Sequence, residues 1–250
     1  MTDDVRPLGI VGRGLPTATS DNIQVPQRLG RHGELVTMPV AGSKLWGLAD
    51  EGSYFFASNP TPGTGIAGIA AADGFNAAET LFLLYNTATA SEGTRLYLDF
   101  LELHCTVVDT NGTDIRYDMH IDNGDRYTSG GSAITPVNVN MDSSAAAKGR
   151  LKFGALVSAA ASSAVRYVGG RLLASTDLVA NDMLRFDFGS PTSNQGQAVN
   201  VSEEATLGRI FQVSCPPIVL GPGHSFLFSV NCASQSGAAT WSFNSGWSER

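Results

Sequence analysis

The clearest hydrophobic pattern in the chain lies between Thr94 and Asp122. In its second half Ile115, Tyr117, Met119 and Ile121 fall on one side, and Asp114, Arg116, Asp118, His120 and Asp122 on the other. A period of two marks a strand with unlike environments on its two faces, and predicts a wet outer face for the charged row. In the first half the apolar side switches, from Leu96, Leu98 and Phe100 to Leu101, Leu103, Cys105 and Val107. That switch predicts a bulge near Phe100, as where one long strand bends between two sheets. Asn111-Gly112 between the halves supplies the positive-φ residues of tight turns, so the two strands are expected to form an antiparallel hairpin.

Further short apolar runs follow the same logic. They are Leu81–Tyr85, Leu151–Val157, Val165–Leu173, Met183–Phe188, Ile210–Cys215, Phe226–Cys232 and Trp241–Phe243. Phe226, Phe228, Val230 and Cys232 share a face, as do Leu184, Phe186 and Phe188. Ser143–Ala147 and Ser158–Ala164 are each expected to hold a helical turn or a loop. Eight or nine strands with no long amphipathic helix predict an all-β protein, a jelly-roll-like β-sandwich over residues 46–250.

Residues 1–45 break the pattern. Pro7, Pro16, Pro26 and Pro39 recur there, glycines lie between them, and no strand or helix period persists. Isolated apolar residues from Val5 to Val36 are mixed with Arg6, Arg13, Arg28 and Arg31. The segment carries five basic and four acidic residues, leaving 11 against 19 of the chain's 16 and 23 for the rest. An extended N-terminal arm, near neutral and spotted with apolar residues, is expected to order against another surface.

Composition narrows the function. The net charge of −7 argues against wrapping nucleic acid, which takes a basic face to displace counterions. Only Lys44, Lys148 and Lys152 among the 16 basic residues are lysine, and arginine suits planar contacts at protein interfaces. A GC-rich genome explains the same bias. Cys105, Cys215 and Cys232 read as buried free thiols rather than a disulfide framework. With no apolar run of signal-peptide or membrane-spanning length, the expected setting is a reducing cytoplasm.

No stretch announces catalysis. Gly63-Thr64-Gly65-Ile66-Ala67-Gly68 matches a dinucleotide fingerprint by letters, but Pro60 and Pro62 stand where its strand should enter. It reads as a surface loop. His32, His104, His120 and His224 form no H-x-H or H-x-x-x-H pair; across the expected hairpin His104 and His120 supply at most two metal ligands. Asp118, Asp122 and Asp125 around Asn123-Gly124 faintly resemble a calcium loop, and Asp-Asn-Gly-Asp is first a turn. No G-x-S-x-G nucleophile elbow occurs. The expectation is a protein that is not an enzyme and uses no cofactor.

The run Ala49-Asp50-Glu51-Gly52-Ser53-Tyr54-Phe55, with Asn59-Pro60-Thr61-Pro62-Gly63-Thr64-Gly65-Ile66-Ala67, resembles virion proteins of tailed bacteriophages. So do Thr135-Pro136-Val137-Asn138-Val139-Asn140-Met141-Asp142-Ser143, Gly221-Pro222-Gly223 and the ending Trp247-Ser248-Glu249-Arg250. The likeness is to capsid-associated jelly-roll cement or decoration proteins of short-tailed phages of aquatic bacteria, and covers roughly residues 35–250. It implies a homotrimer on the outside of an icosahedral head, partnered by the major capsid protein and assembled in the host cytoplasm. No nucleic acid or membrane partner is expected. In that setting Arg6, Arg13, Arg28 and Arg31 are the candidate capsid-binding residues of the arm. Two other classes fit the sequence: another virion component (head-fibre base, tail or receptor-binding protein), and a carbohydrate-binding jelly roll.

Overall fold

The computed structural model describes residues 44–68, 79–108, 113–158, 165–173, 179–189, 197–199, 209–233 and 237–250. Lys44–Arg250 form one compact unit. The chain runs through α1 (Lys44–Asp50), β1 (Tyr54–Ser58), β2 (Ile66–Ala67), β3 (Glu79–Asn86), β4 (Leu96–Val107) and β5 (Thr113–Asp122). It continues through β6 (Tyr127–Ile134), β7 (Val137–Asn138), β8 (Gly149–Ser158), β9 (Val165–Leu173) and β10 (Met183–Phe188). The last elements are β11 (Gln197–Val199), β12 (Ile210–Cys215), β13 (Val219–Leu220), β14 (Ser225–Ala233) and β15 (Thr240–Glu249).

The strands form two sheets. A nine-stranded sheet has the order β11-β12-β10-β4-β15-β1-β7, with β13 on β4 and β2 on β15; a six-stranded sheet has the order β6-β8-β3-β14-β5-β9. Among the described strands all pairings are antiparallel except β10 with β12. The chain changes sheet from β2 to β3, β3 to β4, β4 to β5, β6 to β7, β7 to β8, β9 to β10, β13 to β14 and β14 to β15. This repeated exchange makes the expected all-β, jelly-roll-like sandwich.

Large aromatics join the layers. Phe153 of β8 stacks on Phe243 of β15 at 4.2 Å, and Tyr117 of β5 meets Phe186 of β10 at 5.0 Å. Phe186 in turn packs on Phe228 of β14 at 4.9 Å. Each such side chain contributes about 1.5–3 kcal/mol by leaving water, with a further increment from edge-to-face geometry. Leu184, Phe186 and Phe188 do share the buried face that their alternation predicts.

The hairpin expected at 94–122 does not form. β4 and β5 lie in opposite sheets. Both hydrogen-bonding edges of β4 are taken, by β15 and by β10, and both edges of β5 are taken by β14 and β9. β4 and β5 are therefore successive strands of different layers. The bulge near Phe100 is present: Gly246 opposes Phe100 while Trp247 opposes Leu98, leaving Asp99 extra. It shifts the buried face without moving the strand to the second sheet. Gly246 leaves the room this needs, because a Cβ there would meet the Phe100 ring at 2.8 Å and the Tyr54 hydroxyl more closely still. Tyr54 donates to Asp99 at 2.8 Å; burial first, and that carboxylate second, hold its phenol well above the usual tyrosine range.

The charged row of β5 is not a wet face either. Asp118, His120 and Asp122 are 7%, 5% and 4% exposed. β5 is interior to its sheet, and polar partners replace water: Asn231 donates to Asp118 at 3.4 Å and Arg126 pairs with Asp122 at 2.9 Å. Alternation reports two unlike environments, and here both are dry. Ser143–Ala147 is loop; 159–164 lies outside the described residues.

Candidate functional site

Two features of the nine-stranded sheet stand out, and neither was singled out by the sequence. The first is its outer face. Register aligns Ser58 of β1, Asn244 of β15, Glu102 of β4, Arg185 of β10 and Gln212 of β12 in one row across the sheet. One step along, Ser242 stands beside His104. Inward neighbours Leu103, Phe243, Leu184 and Phe186 fill the core, so period-two geometry turns these polar residues outward.

The row is already wired together. Asn244 Nδ2 donates to Glu102 Oε1 at 3.0 Å, and Arg185 Nη1 donates to Glu102 Oε2 at 3.1 Å. Arg185 Nε reaches Asp187 at 2.9 Å, and Gln212 donates to the same carboxylate. Burial pulls the Arg185 guanidinium down, but Asp187 and Glu102 together outweigh it and raise its pKa. Its plane lies over the Phe100 ring at 5.0 Å, and Phe100 meets Phe56 at 6.3 Å.

The loop after β1 walls this face. Asn59 N donates to Phe243 O at 3.1 Å, while its side-chain amide donates to Thr61 O at 3.1 Å and to Thr64 O. Gly63, at φ 75°, closes the turn with no Cβ to strain. Between loop and sheet lies a groove of about 220 Å³, lined by Ser58, Asn59, Pro62, Glu102, His104 and Asn244 among others.

The second feature is the β7 edge. Helix α1 ends at Gly52, whose φ of 68° is the left-handed cap conformation. Carbonyls left over at the helix end take donors from the 135–143 segment: Asn140 Nδ2 reaches Asp50 O at 2.9 Å and Asn138 Nδ2 reaches Gly52 O at 2.8 Å. Val139 N donates to Tyr54 O at 3.2 Å. The edge so assembled leaves large apolar side chains in water: Trp46 is 74% and Met141 87% exposed, joined by Leu45, Val137 and Val139. Scattered exposed aliphatics are ordinary, but a tryptophan, a methionine and three aliphatics on one edge suit a protein contact.

The candidate residues of the sequence fare unevenly. Arg6, Arg13, Arg28 and Arg31 lie outside the described residues. His104 and His120 do not converge, because they stand on outer faces of different sheets. Asp122 pairs with Arg126 and Asp125 with Arg150, and Gly124 N donates to Asp122, as in a turn. Among the described residues no three His, Cys, Asp or Glu side chains gather in a way that could hold a metal ion. Gly63–Gly68 is a loop running into β2, which pairs with β15. Cys105 and Cys215 are buried free thiols, while the Cys232 side chain is outside the described set. Burial, then Asp187, pushes the Cys215 thiol up to about 12. Among the described residues no helix is long and apolar enough to cross a membrane.

Comparison of the chain with protein-family models, with curated proteins and with solved structures finds no match in any of the three.

Proposed function

We propose that this chain is a structural protein of a bacteriophage particle, a cement or decoration protein bound as a homotrimer to the outside of the icosahedral head. There it stabilises contacts between capsomers of the major capsid protein. The observation that carries the reading is the exposed apolar edge of Leu45, Trp46, Val137, Val139 and Met141. Aromatic and methionine side chains of this kind are enriched in the cores of protein interfaces. Of the runs that resemble phage virion proteins, three supply the end of α1, the start of β1, the β7 segment and the end of β15 beside this edge, while 59–67 and 221–223 lie elsewhere.

The arm completes the mechanism. Fully extended, residues 1–45 reach on the order of 150 Å, so a partly extended arm bridges neighbouring capsomers. Three arms on one trimer bind with avidity, which lets each contact be weak. Arg6, Arg13, Arg28 and Arg31 meet acidic patches of the shell.

The test is reconstitution on heads lacking the protein. A chain without residues 1–40 is expected to remain a soluble trimer and to leave heads bare. Full occupancy by the truncated chain refutes the arm's role. In the full chain, Trp46→Ser with Met141→Ser is expected to weaken self-association or head binding at least tenfold. Unchanged association in both assays removes the edge from the account.

A further inference from the structure

We propose that the groove on the outer face of the nine-stranded sheet is a binding site for one neutral pyranose ring. Its floor is the block formed by Asn244, Glu102, Ser242 and His104. Adjacent strands lie about 4.8 Å apart and like-facing residues about 7 Å apart along a strand. Four polar side chains thus stand at the corners of a rectangle, close enough for their polar ends to converge on the hydroxyls of one ring. Ser58 and Asn59 add polar groups at the β1 side, and Pro62 gives an apolar wall for the ring's C–H face.

The functional groups select the class of ligand. Glu102 only accepts, and a carboxylate offers about four lone-pair sites. Two are used by Asn244 and Arg185, so two remain toward the groove. Asn244 keeps its carbonyl oxygen, and serine and histidine each both donate and accept. Such a mixture pairs with vicinal diols, in which each hydroxyl also donates and accepts. An anion is disfavoured, because a carboxylate lines the groove and Arg185 is already spent on Glu102 and Asp187. A metal is disfavoured too, since Glu102 and His104 are the only charged or imidazole side chains in the lining, and among the described residues no three His, Cys, Asp or Glu gather to hold an ion.

The site is also held in place before any ligand arrives. Arg185 and Asn244 fix the Glu102 rotamer, and the Asn59 amide bonds fix the loop. That reduces the ordering cost of binding. The groove is small and open to solvent, so a single ring binds with a dissociation constant on the order of millimolar.

The experiment is a nitrogen–proton NMR titration of the full chain. The probes are methyl glycosides of glucose, galactose, mannose and N-acetylglucosamine, to about 50 mM. At least one is expected to give saturable shifts confined to residues 58–63, 102–104 and 242–244. Ser242→Phe, which fills the groove, is expected to weaken that binding at least tenfold. His104→Ala is the second variant should the bulky one fail to fold, with a several-fold loss expected. Absence of saturable shifts with all four probes, shifts mapping elsewhere, or undiminished binding in the folded variants overturns the site. Tighter binding of inorganic phosphate at the same residues overturns the ligand class. None of these results depends on whether the chain decorates a capsid.

Discussion

The end of the last strand carries a carboxylate that accepts three hydrogen bonds, and its replacement gives a worked prediction. Glu249 accepts from Lys148 N at 2.8 Å, Gly149 N at 2.9 Å and Trp247 Nε1 at 2.9 Å. The latter two bonds are buried, and Trp247 itself is fully enclosed. Glu249→Gln keeps the shape and can keep two of the three acceptor contacts. Its amide NH₂ then confronts the third donor. One charge-assisted bond, about 1.5–3 kcal/mol, is lost, and the other two fall to neutral strength. The expected destabilisation is roughly 2–4 kcal/mol, or about 5–15 °C in Tm for a unit of this size. Glu249→Ala leaves two buried donors unsatisfied at about 1–3 kcal/mol each and is expected to cost more. The assay is urea unfolding by fluorescence, with Trp247→Phe and the double variant closing a cycle. A coupling of about 1 kcal/mol between Trp247 and Glu249 is expected. If Glu249→Gln unfolds within about 0.5 kcal/mol of the parent, the carboxylate does not hold the strand and the reasoning fails.

Three further outcomes are expected. Gly149→Ala sets a Cβ 2.8 Å from the Trp247 ring, so a loss of about 1–3 kcal/mol is expected in the same urea assay. Glu92 is held down to about 2 by the Lys148 ammonium at 2.5 Å and then by Thr89. A carboxylate depressed in the folded state contributes stability above its ordinary pKa and loses it as pH falls toward 2; carbon NMR of Glu92 should show that low midpoint, and Lys148→Met should raise it. Cys215, buried and pushed up to about 12, is expected to resist iodoacetamide at pH 8 until urea unfolds the chain, as read by peptide mass spectrometry.

How much of this was legible in the sequence depends on what kind of force shapes each part. Strands that bury an apolar face announce themselves: Met183–Phe188 and Ile210–Cys215 match the expected bounds residue for residue, and the extent of Val165–Leu173 matches too. Strands held mainly by backbone pairing do not. Tyr127–Ile134 reads as Thr, Ser and Gly, yet it pairs along β8 as an edge strand. Thr240–Glu249 was legible only at Trp241–Phe243, because Asn244, Ser245 and Gly246 interrupt the apolar pattern while the ladder to β4 continues. The hairpin failed since Asn-Gly specifies a turn, not the strand beyond it, and neighbours distant in sequence took the edges. Alternation in β5 separated its faces correctly but said nothing of whether either meets water.

The groove was illegible for a related reason. Asn244 and Glu102 are 142 residues apart and meet only through the β15–β4 register. The period of β4 placed Glu102 and His104 on its polar face; no local pattern could pair them with Ser242 or with the Asn59 loop. The apolar edge was nearer to view. Trp46, Val137, Val139 and Met141 are visible in the chain, but their gathering on one edge follows from the bonds of Asn138 and Asn140 to the end of α1.

The proposal that the chain decorates a phage head is tested most directly by counting its copies in purified particles, by quantitative mass spectrometry against the major capsid protein. A decoration protein repeated by icosahedral symmetry is present at on the order of hundreds of copies per head. Absence from the particle, or a handful of copies as at a single tail vertex, contradicts the account.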